Sequence, residues 1–173
     1  MLTPGRTYII VLSGALLWCA LILLAPVFVA SEGFPGFAGD VLYRFFHGIC
    51  HQLDDRSFHI FGKPLAVCIR CLSIYAGFLA GTLVFPFVKR FAYTIFPKRV
   101  VLFWSLVPMV VDVALDALGI RDATTSSRLI TGTMFGTVVV FFIIPAAQEA
   151  MHELAAGVRP FLRHESKKGF LHA

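Results

Sequence analysis

Three of the four cysteines in this chain fall in one stretch, GICHQLDDRSFHIFGKPLAVCIRCLSIYAG, in the spacing Cys50-x17-Cys68-x2-Cys71. A two-residue gap lets both thiolates bind one ion, and an upstream cysteine with a histidine completes a tetrahedral zinc shell. His47 and His51 are the candidate fourth ligands. Cys50 and His51 are adjacent and diverge by about 100° on a helix, which favours His47. The competing chemistry is thiol–disulfide exchange among the same Cys50, Cys68 and Cys71. A helix N-terminus and a neighbouring Arg70 would lower the pKa of a thiol there. Cys19, set among Leu and Ala, reads as a small buried hydrophobe.

A second group of chemically capable residues lies further along. Asp112 and Asp116 are four apart, so a helix presents both carboxylates on one face. Ionisable groups at membrane depth are costly and turn toward partners inside the bundle. Arg70 and Arg128 are the nearest cations, and Arg56 and Thr131 complete a candidate polar pocket. A structural ion pair and a functional acid or substrate anchor are equal readings of these carboxylates. With an open coordination position beside Asp112 or Asp116, a metal there could activate water. With three cysteines and a histidine filling its shell, a structural ion is favoured.

The elements that carry these residues are hydrophobic. The chain has 173 residues, 58% of them hydrophobic and 14% charged, against roughly a quarter charged in soluble domains. A bilayer core of ~30 Å needs about 20 apolar residues per helix. Residues 8–30, 72–88, 100–119 and 129–147 meet that requirement, and none alternates like a barrel strand. The expectation is an all-α, four-helix integral membrane bundle forming a single domain over residues 1–173. The first apolar run is longer than a signal-peptide core and has one basic flank, Arg6, so it is assigned as a retained span. Between spans one and two, Val41, Leu42, Phe45, Phe46 and Ile49 recur at near-helical spacing. They predict a short amphipathic or re-entrant helix, with His47 and His51 on it.

Charge placement sets the orientation. Lys89, Arg90, Lys98 and Arg99 crowd the second loop, while Arg159, Arg163, Lys167 and Lys168 follow the last span. The positive-inside rule puts both regions in the cytoplasm, with both termini, in the cell (inner) membrane. Residues 31–71 then form an outer Cys/His loop and residues 148–173 a cytoplasmic basic tail. The net charge of +5 is accounted for by topology rather than by nucleic-acid binding. The lipid bilayer is the expected partner. Gly77 with Gly81, and Gly132 with Gly136, are small-xxx-small pairs suited to close helix approach.

CIRCLSIYAG resembles the Cys-x-x-Cys helix end of the vitamin K epoxide reductase and disulfide-bond-forming membrane proteins, which implies a quinone as alternative cofactor. The chain lacks their second cysteine pair. A wider resemblance rests on CHQLDDRSF, VCIRCLSIYAG and the later SSRLITG. These are similar to an uncharacterised family of small prokaryotic predicted membrane proteins. That family pairs Cys-His-Gln…Arg-Ser-Phe with Cys-x-Arg-Cys. Ala66 and the Ser126–Ser127 pair depart from its pattern, where Pro and Asn stand. The resemblance implies four spans and a shared outer site, and implies no reaction.

Three roles follow for a protein of this kind. The first is a membrane protein with a zinc site beside an Asp/Arg pocket. The second is a quinone-linked thiol oxidoreductase. The third is an accessory subunit of a larger membrane complex, with other membrane subunits or a homo-oligomer as partners. No phosphate-binding loop, dinucleotide fingerprint or nucleophile elbow is present.

Overall fold

The computed structural model describes residues 4–31, 33–88 and 98–169, with side chains over residues 5–154 of these. Among the described residues five α-helices follow one another: α1 Pro4–Val29, α2 Phe34–His47, α3 Ile69–Val88, α4 Arg99–Ala117 and α5 Thr125–Gly169. Four carry stretches long and apolar enough to cross a membrane: Gly5–Val29, Ile69–Val88, Arg99–Ala117 and Thr125–Leu154. The fold is all-α, and among the described residues the buried clusters are small while many large hydrophobic side chains face outward, as suits helices bathed in lipid. On α4, Phe103, Trp104 and Val110 are exposed.

Close packing of α3 on α5 organises the bundle. Gly77 lies against the backbone of Thr133 and Gly81 against that of Thr137, so the two helices run parallel. Gly132 meets Ser73 and Gly136 meets the carbonyl of Ile74 from the other side. A Cβ at any of the four would collide with its neighbour, which is why both small-residue pairs are glycine. The Thr137 hydroxyl donates to the Gly77 carbonyl at 3.1 Å across this seam. Lower in the seam, Tyr8 of α1 donates its phenol to the Thr82 carbonyl at 3.1 Å.

α5 begins four residues before the apolar run and continues as one helix through Gly169. AAQEAMHELAA is rich in strong helix formers, so nothing in it stops the helix where the apolar run ends. Lys89 and Arg90 lie outside the described residues, as do the side chains of Arg159, Arg163, Lys167 and Lys168.

The segment between α1 and α3 folds back over the bundle end. α2 is amphipathic and packs on α1 through Gly39, whose Cα approaches the backbone and side chain of Val29. α2 ends at His47, with Gly48 as its C-cap. Cys50 and His51 therefore sit beyond the helix, and a common helical face for His47 and His51 is corrected. After a 3-10 turn at Asp54–Arg56, strands β1 His59–Ile60 and β2 Lys63–Pro64 pair antiparallel. Phe61 and Gly62 connect them, both with positive φ (51° and 71°), as a two-residue hairpin turn of the primed kind requires.

Candidate thiol and arginine site

Below the folded-back loop, Ile22, Ala25, Phe46, Cys50, Ala66 and Val67 form a buried core. Trp18 of α1 presents its ring edgewise to Phe45, Phe46 and Tyr75, with centroids 5.3–5.7 Å apart. Cys68 and Cys71 pack on the same core. This apolar floor holds the thiols from beneath, while polar contacts hold the loop above them. Gln52 takes a positive φ of 51°, and its amide donates to the carbonyls of Tyr43 at 2.9 Å and Ala66 at 2.7 Å. The Tyr43 phenol donates to the Pro64 carbonyl, and the Leu65 N–H to the Phe58 carbonyl at 2.7 Å. The loop is thus closed on itself just ahead of Cys68.

That closure brings Cys50 back to the start of α3. The sulfur atoms of Cys50, Cys68 and Cys71 all lie within 4.8 Å of one another. The Cys68 N–H donates to Cys50 Sγ at 3.2 Å. Cys50 is buried and the other two are half-buried. The hydrogen bond that Cys68 accepts from the Cys71 thiol, outweighing burial, and aided by the Cys71 N–H and by Cys50, pulls the Cys68 pKa down from 9.0 to about 5. The four cysteines are free thiols, with Cys19 placed apart on α1, its thiol 3.7 Å from the Tyr75 carbonyl.

Neither histidine joins the sulfur group. His51 lines the cavity next to it, whereas His47 is exposed at the end of α2. His59 instead pairs with Asp54 at 3.1 Å on the exposed surface of the loop.

The two carboxylates of α4 meet arginines from three other elements. Arg70 Nη2 lies 2.6 Å from Asp112 Oδ2. Asp116 Oδ2 is shared, 3.0 Å from Arg56 Nη1 and 3.5 Å from Arg128 Nη2. Its other oxygen accepts the Ala123 N–H at 2.9 Å, fastening the turn before α5. Ser73 Oγ stands 2.8 Å from the Arg70 carbonyl and 3.0 Å from the Arg128 carbonyl, fixing the starts of α3 and α5 to each other. Nothing in residue type singled out Ser73 or Tyr43 beforehand; only the long-range contact gives them a part. Thr131 donates to the Ser127 carbonyl of its own helix at 2.7 Å.

Residues of both groups line one cavity of about 200 Å³. Cys50, Cys68 and Cys71 contribute to it together with Arg56, Arg70 and Arg128. Chemically, the arrangement can hold a thiophilic ion, exchange disulfides, or present guanidinium donors to a ligand.

Four membrane-length helices, with thiols and arginines gathered at one end of the bundle, define a small multi-pass membrane protein. The chain belongs to the family described as predicted membrane protein (DUF2085), whose profile matches residues 50–142 and so takes in both groups. It is also 38% identical over 151 residues to the uncharacterized protein MJ1492 of Methanocaldococcus jannaschii, covering 86% of this chain and 97% of that one. No solved structure matches.

Proposed function

We propose that the chain is a multi-pass protein of the cell membrane that holds a zinc ion at its outer face through Cys50, Cys68 and Cys71. The observation that carries this reading is the mutual approach of all three sulfurs within 4.8 Å. A disulfide needs only two. Zn–S bonds of ~2.3 Å in a tetrahedral shell put sulfurs about 3.8 Å apart, so small side-chain rotations suffice to close the group around an ion. His51, on the wall of the same cavity, is the candidate fourth ligand. The Asp112 and Asp116 pairs with Arg70, Arg56 and Arg128 support a role as rigid struts that fasten α3, α4 and α5 at the level of the ion.

Elemental analysis with thiol counting on detergent-purified protein tests this. One zinc per chain, lost in Cys68→Ser, is the expected result. Metal-free protein with one disulfide per chain reducible by a mild thiol would sink it.

That second outcome belongs to a quinone-linked thiol oxidoreductase, which one further observation favours. An apolar cavity of about 410 Å³, lined by Gly14, Ala15, Trp18, Cys19, Tyr75 and Phe78, opens between α1 and α3. Trp18 and Tyr75 belong to the same packed group as Cys68 and Cys71. In this reading Cys68 and Cys71 close to a disulfide, and the quinone takes their two electrons and two protons to become a quinol.

A further inference from the structure

The thiol chemistry accounts for only part of the cavity lining. Three guanidinium groups also line it, from the 3-10 turn (Arg56), the first turn of α3 (Arg70) and the first turn of α5 (Arg128). No carboxylate lines the cavity among the described residues. Asp112 and Asp116 pair with the arginines but are not among the residues that line the cavity.

Each guanidinium carries five N–H donors, and the carboxylates use only a few of them. Arg128 is 8% exposed, yet its Nε has no partner, and neither has the buried Nε of Arg70. Buried donors are almost always matched by acceptors. Here the supply of donors exceeds the acceptors that the protein sets around them. Three forked donors held by ion pairs and lining one space suit the recognition of an oxyanion.

We propose that this cavity is a binding site for a small oxyanion, a phosphate, sulfate or carboxylate group held by Arg56, Arg70 and Arg128 beside the thiols. Its volume corresponds to about seven waters at ~30 Å³ each, enough for a tetrahedral anion and its solvation. The site stands on the arginines and does not require a zinc ion at the thiols. The group has two possible sources at the end of a membrane bundle, a free anion or the phosphate of a lipid headgroup.

Equilibrium dialysis of delipidated, detergent-purified full-length protein against labelled phosphate, sulfate and acetate tests the site. A parallel arm uses a short-chain phosphatidic acid. One saturable site per chain for an anion in either arm is expected. Arg56→Gln keeps an N–H donor and leaves Arg128 and the Ala123 N–H on Asp116, and it should weaken that binding about tenfold or more, as loss of a charged hydrogen bond does. Uptake in the lipid arm alone supports the site and assigns it a headgroup. Absence of saturable binding in both arms overturns it, and so does binding that Arg56→Gln leaves unchanged. Repeating the dialysis on chelator-treated protein and on Cys68→Ser separates this site from the zinc reading: anion binding should persist in both.

Discussion

Arg70 Nη2 and Asp112 Oδ2 stand 2.6 Å apart, joining the first turn of α3 to the last turns of α4. Both side chains are largely buried, so removing one strands the other's charge. Breaking such a pair typically costs ~3–5 kcal/mol. Arg70→Ala should lower the unfolding free energy in detergent by about that amount. Asp112→Asn in the same chain should recover part of it. An additive double mutant would show that the two groups do not interact.

The shared Asp116 makes a different prediction. It joins Arg56, Arg128 and the Ala123 N–H, so Asp116→Asn should loosen two arginines and the turn before α5 together. Its effect should exceed that of Asp112→Asn. Faster amide exchange is expected around Ala123 in Asp116→Asn alone; equal exchange in both variants would refute the coupling.

At the α3–α5 seam, Gly77→Val should be poorly tolerated, because its Cβ would meet the Thr133 backbone. Backbone cannot rotate aside as a side chain can. Forcing the helices apart would cost about 1–3 kcal/mol or more and widen the distance between Arg70 and Arg128. Gly14→Val, on α1 with nothing near its Cβ, is the matched control. Similar folded yields for the two variants would count against close packing at the seam.

The four spans were legible because an apolar run of about 20 residues matches the thickness of a bilayer and little else. The Asp112–Asp116 face was legible from helical spacing alone. The course of residues 48–68 was not. Helical spacing extended past His47 suggested a shared face for His47 and His51, but Gly48 ends the helix and the chain turns back. What directs it afterwards is long-range: the Gln52 amide between the Tyr43 and Ala66 carbonyls, and the Tyr43 phenol on Pro64. The Phe61–Gly62 turn carries only half of the usual primed-turn signal, with Phe where Asn or Asp is common. The return of Cys50 to Cys68 depends on all of these, which is why spacing suggested a cluster but not the path that closes it.

The orientation proposed from charge has its own test. The positive-inside rule predicts the cytoplasm on the side of Lys98 and Arg99 and the thiol end facing outward. An engineered cysteine at Lys98, an exposed position, should resist a membrane-impermeant maleimide in intact cells and label after permeabilisation. Labelling in intact cells would invert the topology and place the thiols in a reducing compartment.

The thiol chemistry yields the last prediction. The folded pKa of Cys68 is depressed from 9.0 to about 5, chiefly by the hydrogen bond from Cys71. An acid depressed in this way favours the folded state above its ordinary pKa, and that contribution is lost as pH falls through the folded value. Between about pH 5 and 9, therefore, metal-free protein should keep Cys68 as thiolate while an ordinary thiol is mostly protonated. Alkylation of reduced, chelator-treated protein should stay nearly constant from pH 8 down to pH 6 and fall only near pH 5. An unperturbed thiol would slow about tenfold for each pH unit below its pKa. Cys71→Ser keeps a hydroxyl donor and should leave the profile low; Cys71→Ala removes it and should move the midpoint upward. A rate that already falls tenfold between pH 8 and 7 in the unmodified chain would remove the Cys68–Cys71 hydrogen bond as the cause.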